Sequence, residues 1–145
     1  MSSTQVDEII KACRLDVAQL HGDETPVEAG GVQAPSYKAH RGLPMPTNFD
    51  HYPQPENPLL PSMLLDASVK GQFGGTGAKL DWANAGKQLP AGKRVLLAGG
   101  ITPTNAAQAI AQAQPWGIDL ASGVESSPGI KDGVKLRELV KAVRG

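Results

Sequence analysis

Hydrophobic residues along the chain follow two alternating patterns. Short continuous apolar runs predict buried strands over 17–20, 62–67, 94–100 and 117–121, with a weaker strand candidate over 36–41. Apolar residues three and four positions apart predict helices, one capped by Ser3 or Thr4, one starting at Thr102-Pro103 and one over 134–143. Residues 42–62 contain six prolines and predict a long surface segment that is neither helix nor strand.

This order of elements predicts the fold class. Strands that alternate with helices pair in parallel, because a parallel crossover needs a connection about as long as a helix. Strands that are apolar throughout are buried on both faces of their sheet. We therefore expect an α/β chain of about five parallel strands alternating with helices. A glycine or an acid follows several of the strands, at the edge of the sheet where α/β proteins place their chemistry.

The predicted helices have one apolar face each. In the first helix that face ends at Cys13, which is therefore interpreted as a small core residue rather than a nucleophile. Asp7 and Glu8 are expected in its first turn, where the helix dipole favours negative charge. In the last helix the inner face is formed by Leu136, Leu139, Val140 and Val143.

Composition narrows the class of protein. The 145 residues are enough for one domain, spanning 1–145. Fourteen basic and fourteen acidic residues give no net charge, which argues against nucleic-acid or anionic-membrane partners. No apolar run is long enough to span a bilayer, and the first residues do not read as a secretory signal. A single cysteine cannot form an internal disulfide, so a cytoplasmic protein is expected.

Glycine-containing turns follow the last two predicted strands. Gly99-Gly100 and Ser122-Gly123 could each simply reverse the chain, but two such turns in adjacent units also suit a phosphate, because glycine lets backbone N–H groups approach an anion. Residues 122–125 are placed to open a short extra helix at that site. The loop over 74–77 could cradle an anion or act as a lid, and it lacks the residues of a nucleotide P-loop.

Three side chains are candidates for acid–base chemistry or substrate binding. Asp66 ends an apolar strand, where it could serve as a general acid or merely cap the next loop. His21 ends the first strand, and Asp119 is expected in the middle of the last one; each could also be structural. No cluster with metal-ligand spacing is present in the sequence, so no metal site is expected.

Together the motifs resemble the phosphoribosylanthranilate isomerase family of tryptophan biosynthesis. The end of the chain, 140–145, also resembles the isomerase end of fungal multifunctional tryptophan enzymes. The stretches that carry the resemblance are Val17–Glu24, Leu64–Ala67, Gly74–Gly77 with Leu80-Asp81-Trp82, Leu97–Gly100 with Pro103 and Asn105, and Gly117–Glu125 followed by Pro128-Gly129 and Lys131-Asp132.

The resemblance implies the last five strands of an eight-stranded (β/α) barrel, not closed into a barrel because five strands cannot close at that geometry. It implies an Amadori rearrangement of N-(5-phosphoribosyl)anthranilate without cofactor or metal. Asp66 then takes the place of the general acid, His21 and Asp119 line the substrate site, and the substrate's phosphate binds at the turn residues Gly99, Gly100, Ser122 and Gly123.

Two family motifs are not found in this sequence. The Lys-x-Cys-Gly of the family's first strand, which carries the general base, and an arginine of the second strand, which holds the substrate carboxylate, have no counterpart. The resemblance therefore implies a chain that begins in the third helix, with low activity by itself. The alternative is a non-catalytic phosphate-binding fragment, which is either a truncated gene product or a piece whose open sheet edge is covered by a partner chain or by self-association.

Overall fold

The structure is a computed structural model that describes residues 1–67 and 81–145. Within these residues five parallel strands form one sheet in the order of the chain, and a two-stranded antiparallel ribbon lies near the C-terminus. The strands of the main sheet are β1 (Ala18–Leu20), β2 (Ser36–Arg41), β3 (Met63–Asp66), β4 (Val95–Ala98) and β5 (Gly117–Ile118), and those of the ribbon are β6 (Glu125–Ser127) and β7 (Ile130–Lys131). The predicted fold class, including the open sheet, is confirmed.

Five helices accompany the strands in the described part of the chain. They are α1 (Ser3–Cys13), α2 (Pro26–Gly30), α3 (Trp82–Gln88), α4 (Ala106–Ala113) and α5 (Gly133–Arg144), with single 3-10 turns at Phe49–His51 and Ser122–Val124. Apart from the turn at Phe49–His51, residues 42–62 form no helix or strand, as their prolines predict.

One face of the sheet is covered by helices. Alternate residues of β3 and β4 pack against α3 and α4, and Ala18 and Leu20 of β1 pack against Ala29 of α2 and the inner side of α1. The opposite face, here called the inner face, carries a smaller cluster in which Tyr37, Ala39, Leu64 and Ala98 contact one another. Among the described residues this inner cluster contains no helical residue, so the side chains at its rim stay accessible.

Two expectations about helix faces are wrong. Cys13 is exposed, because Val6 and Ile10 are the residues of α1 that pack against the cluster of β1 and α2. In α5 Leu139 packs on the core, but Leu136, Val140 and Val143 are exposed, since the short strand β5 forms the sheet edge there.

Helix starts also differ from the prediction. The cap of α1 is Ser2, one or two residues earlier than expected, in a capping box with Gln5, so Asp7 lies beyond the first turn. Its carboxylate instead accepts hydrogen bonds from the backbone N–H groups of Gln33 and Ala34. Helix α4 is capped at Asn105 rather than Thr102.

Candidate active site

Three predicted site residues lie at the carboxyl edge of the sheet, on its inner face. His21 follows β1, Asp66 is the last residue of β3, and Asp119 follows β5. Asp119 was expected in mid-strand; the strand ends one residue earlier, although the Asp119 N–H still donates to the Leu97 carbonyl over 2.9 Å. Strands in a sheet lie about 4.8 Å apart, so Asp66 stands roughly 10 Å from the strands of each of the other two.

Tyr37 and Gln19 form the floor between these residues. The Tyr37 hydroxyl donates to the Gln19 side-chain oxygen over 2.9 Å, and the Tyr37 side chain is buried. Burial raises the pKa of the Tyr37 phenol, and the negative charge of Asp119 raises it further. Asp119 follows β5, three positions from β2 in the sheet, and strand alternation places it on the same inner face as Tyr37.

The sequence analysis missed Arg41, which ends the strand between those of His21 and Asp66. It ends β2 directly opposite Asp66 in the register of the sheet. Its Nε donates to His21 Nε2 over 3.2 Å, and its Nη2 donates to the His21 carbonyl over 3.2 Å. Strand alternation would have placed it on the same face as Tyr37 and Ala39, and this is the signal that could have found it.

The first glycine turn is shaped by two left-handed residues. Gly99 has a φ of 97° and Gly100 a φ of 62°, a conformation that any side chain would strain. Asn105 closes the turn, because its side-chain oxygen accepts from the Thr102 N–H over 2.7 Å and its amide nitrogen donates to the Gly100 carbonyl over 3.0 Å. The glycines therefore form a defined turn held by the start of α4.

The second turn packs directly on the first. Ser122 and Gly123 lie in the 3-10 turn that follows β5, which corresponds to the expected short extra helix, reduced to one turn. A Cβ atom on Gly123 would collide with the carbonyl oxygen of Ile101, so the close approach needs glycine. Lys131 of the ribbon donates to the Ala121 carbonyl over 2.9 Å beside this turn, and its charge is paired with the Glu125 carboxylate at 2.8 Å.

One more predicted feature is a loop that could cradle an anion or act as a lid. The loop over 74–77 lies outside the described residues. Within 1–67 and 81–145, no three metal-ligating side chains come together, and no helix has the length and apolarity needed to cross a membrane.

Comparisons with known proteins identify the family of the chain. Residues 1–142 match the family model for N-(5'-phosphoribosyl)anthranilate isomerase. The isomerase of Pseudomonas fluorescens is 42% identical over 99% of this chain and 68% of its own length, and that of Magnetococcus marinus is 44% identical over 91% and 60%. The chain thus spans about 60–68% of the length of these relatives.

Solved structures show the same likeness in three dimensions. The Thermus thermophilus phosphoribosyl anthranilate isomerase superposes with a TM-score of 0.78 at 37% identity, covering 99% of this chain and 68% of its own. The TrpF protein of Jonesia denitrificans has a TM-score of 0.78 at 30% identity, covering 100% and 67%. With a family model spanning nearly all of its residues and relatives above 40% identity, this chain belongs to the phosphoribosylanthranilate isomerase family.

Proposed function

We propose that this chain takes part in the isomerisation of N-(5-phosphoribosyl)anthranilate in tryptophan biosynthesis. The observation that carries the proposal is the gathering of His21, Asp66 and Asp119 at one edge of the inner face, beside two packed glycine turns. A solved isomerase whose fold this chain shares was obtained in complex with reduced 1-(o-carboxyphenylamino)-1-deoxyribulose 5-phosphate. That molecule carries a phosphate, a polyol and an anthranilate ring, and this gathering of side chains and turns suits all three.

In this proposal the glycine turns hold the phosphate and Asp66 supplies a proton. The proton passes from the Asp66 carboxyl group to the furanose ring oxygen as the bond from that oxygen to C1 breaks, and the nitrogen lone pair forms the C1–N double bond. Removal of the C2 proton by a base then gives the enol-amine, which becomes the ketone. His21 and Asp119 line the space occupied by the sugar and the ring.

The general base of the family, which lies in its Lys-x-Cys-Gly motif, is not found in this sequence. Its single cysteine, Cys13, is exposed at the end of α1, a helix that packs on the helix-covered face of the sheet and not on the inner face. We therefore expect the 145-residue chain to turn over substrate more than about 10²-fold more slowly than the Pseudomonas fluorescens isomerase, since loss of a general base is typically worth 10²–10⁴.

Loss of substrate fluorescence on turnover provides the test. Asp66→Asn should abolish whatever turnover the chain has, whereas Asp16→Asn, which changes an exposed carboxylate outside the site, should leave it unchanged. Turnover that survives Asp66→Asn would overturn the assignment of Asp66 as the acid. Turnover equal to that of the full-length relative would overturn the expected deficit.

A second candidate function is supported by the exposed apolar surface. Val134, Leu136, Val140 and Val143 of α5 are 39–55% exposed at one end of the sheet, and Ile9 and Leu15 are similarly exposed at the other. Both β1 and β5 are edge strands. Such edges favour association. We therefore infer, as the alternative, a phosphate-binding module that is completed by a partner chain or by self-association.

Turnover and association separate these candidates, and phosphate binding tests the site that they share. Inorganic phosphate should shift the backbone amide NMR signals of Gly99, Gly100, Ser122 and Gly123 in either case, and a lack of shifts would refute the phosphate site. Sedimentation should show association that Val140→Lys weakens if α5 forms the contact. Binding and association without turnover would favour the module. We also infer a cytoplasmic location, which the single unpaired cysteine supports.

A further inference from the structure

Arg41 holds His21 at two points. Its Nε donates to the ring nitrogen Nε2 over 3.2 Å, while its Nη2 donates to the carbonyl oxygen of the same residue over 3.2 Å. A guanidinium is a planar fork of donors and accepts nothing, so both contacts run from Arg41 to His21. Ring and backbone are thereby fixed in one geometry.

This contact determines which ring nitrogen carries the proton. A neutral imidazole has one donor and one acceptor nitrogen, and Nε2 must be the acceptor because Arg41 can only donate. Nδ1 then carries the hydrogen and needs an acceptor. The group beside Nδ1 is the side-chain amide of Gln19, at 3.2 Å.

The Gln19 amide can satisfy this requirement in one of its two orientations. In the structure the Gln19 amide nitrogen faces Nδ1 and its oxygen accepts from the Tyr37 hydroxyl, which leaves Nδ1–H opposite a donor. The Nδ1–H tautomer therefore requires the amide turned by half a rotation, so that its oxygen accepts from Nδ1–H and its NH₂ group donates to the Tyr37 hydroxyl oxygen. In the other orientation the Gln19 NH₂ group faces Nδ1. The ring hydrogen would then oppose a second donor, either this NH₂ group at Nδ1 or Arg41 at Nε2. One consistent chain of hydrogen bonds therefore crosses the inner face, running from Arg41 through His21 and Gln19 to Tyr37.

Lys38 of strand β2 also contacts the segment around His21, from the helix-covered face of the sheet. Lys38 is largely buried, and its Nζ donates to the Gly22 carbonyl over 2.6 Å, to the Leu20 carbonyl over 3.4 Å and to the Glu24 carboxylate over 2.9 Å. The carbonyls of residues 20, 21 and 22 thus all accept from cations of β2. The position of His21 is set by a neighbouring strand and not by its own loop alone.

We propose that Arg41 is a positioning residue that keeps His21 as the Nδ1–H tautomer with both ring nitrogens engaged. A ring held in this way forms a fixed wall of the substrate space and transfers no proton, which leaves the acid–base work to other groups. The tautomer follows from the Arg41 contact together with the turned Gln19 amide; the effect on substrate rests on the function proposed above.

Long-range ¹H–¹⁵N NMR of the imidazole rings at about pH 8 tests the tautomer without substrate. The chain has three histidines, and His40→Gln and His51→Gln assign the His21 signals. We expect a pyrrole-type Nδ1 and a pyridine-type Nε2 in the unmodified chain. An Nε2–H tautomer there would overturn the proposal.

Substitution of Arg41 tests whether it is the cause. In Arg41→Met the two tautomers should mix, and in Arg41→Lys the Nδ1–H form should be partly restored; Arg144→Met, at the exposed end of α5, should change nothing. An unchanged His21 tautomer in Arg41→Met refutes the role. If Arg41→Met does not fold, Arg41→Lys and Gln19→Leu take its place, the second because it removes the acceptor of Nδ1–H. The same result, a His21 tautomer that does not change, then refutes the role.

Kinetics add a second readout. Arg41→Met should raise KM about 3- to 10-fold with a smaller change in kcat, because a wall is misplaced and no proton donor is lost. A loss confined to kcat would contradict the positioning role. Absence of turnover in the unmodified chain together with the expected tautomer would refute the proposed function and leave the role of Arg41 in place.

Discussion

Gly123→Ala is the substitution that tests the packing of the two glycine turns most directly. The added Cβ would meet the carbonyl oxygen of Ile101 inside 3.0 Å, a separation that real Cβ atoms essentially never show, and it would lie 3.3 Å from Thr102 Cα. Both neighbours are backbone atoms, so no side chain can rotate away. The turn at 122–124 and the turn that leads into α4 must move apart.

The expected cost follows from the cost of overpacking. Inserting a methyl group into a close contact typically destabilises a protein by about 1–3 kcal/mol. An unfolding entropy of about 2.1 cal/mol/K per residue gives roughly 0.3 kcal/mol/K for this chain, so Tm should fall by about 3–10 °C. Phosphate at a hundred times its Kd stabilises a folded protein by about 2.7 kcal/mol, and this gain should shrink in the variant because the two turns no longer meet.

Thermal unfolding with and without inorganic phosphate measures both effects. Gly30→Ala is the matched control: it is the same change at the end of α2, where nothing lies within 4 Å, and it should stabilise by about 0.5–1 kcal/mol. A Gly123→Ala chain with unchanged Tm and an unchanged response to phosphate would refute the reasoning.

Three further outcomes are expected. Burial lowers the pKa of His40, so the unfolded chain binds a proton before the folded chain does, and the free energy of unfolding should decrease as pH falls below about 6.5. Urea unfolding at several pH values should show that this free energy depends less on pH in His40→Gln. The control is His51→Gln, at an exposed histidine, which should keep the dependence of the unmodified chain. Lys38→Met removes the cation shared by the Glu24 carboxylate and two carbonyls, leaving Glu24 with the Gly22 N–H as a donor, and should cost about 1.5–3 kcal/mol in urea titrations. The exposed Lys141→Met should change stability little, and equal effects would contradict this. Gly86→Ala brings a Cβ within 2.8 Å of the α4 backbone, so calorimetry should show a lower Tm, and an unchanged value would contradict the tight α3–α4 contact.

Much of the fold could be predicted because its strands are continuous apolar runs. The pattern located β3 and β4 within a residue or two, and the weaker candidate over 36–41 matches β2. Two short helices were not predicted. Helix α2 carries a readable signal, since Thr25, Pro26 and Glu28 form a capping box with proline in the first turn, but its five residues are too few for an apolar period.

The errors come from tertiary context. An apolar stripe predicts burial only if another element covers it, and in the described residues the outer part of α1 and most of the α5 stripe have no such cover. Cys13 therefore lies in solvent although its spacing is that of a core residue. The site residues were located by the rule that chemistry follows parallel strands, and they end or follow clear apolar runs, whereas Arg41 ends the weaker, more polar strand candidate over 36–41.

The order of the strands has a consequence for how the chain folds. Each strand of the main sheet pairs with the strand next to it in sequence, β1 with β2 through to β4 with β5. No pairing has to wait for a distant segment, so each strand–helix unit can dock on the one before it as it leaves the ribosome, as in repeat proteins. Growth by addition at one end also means that the last sheet edge is always ready to accept another strand.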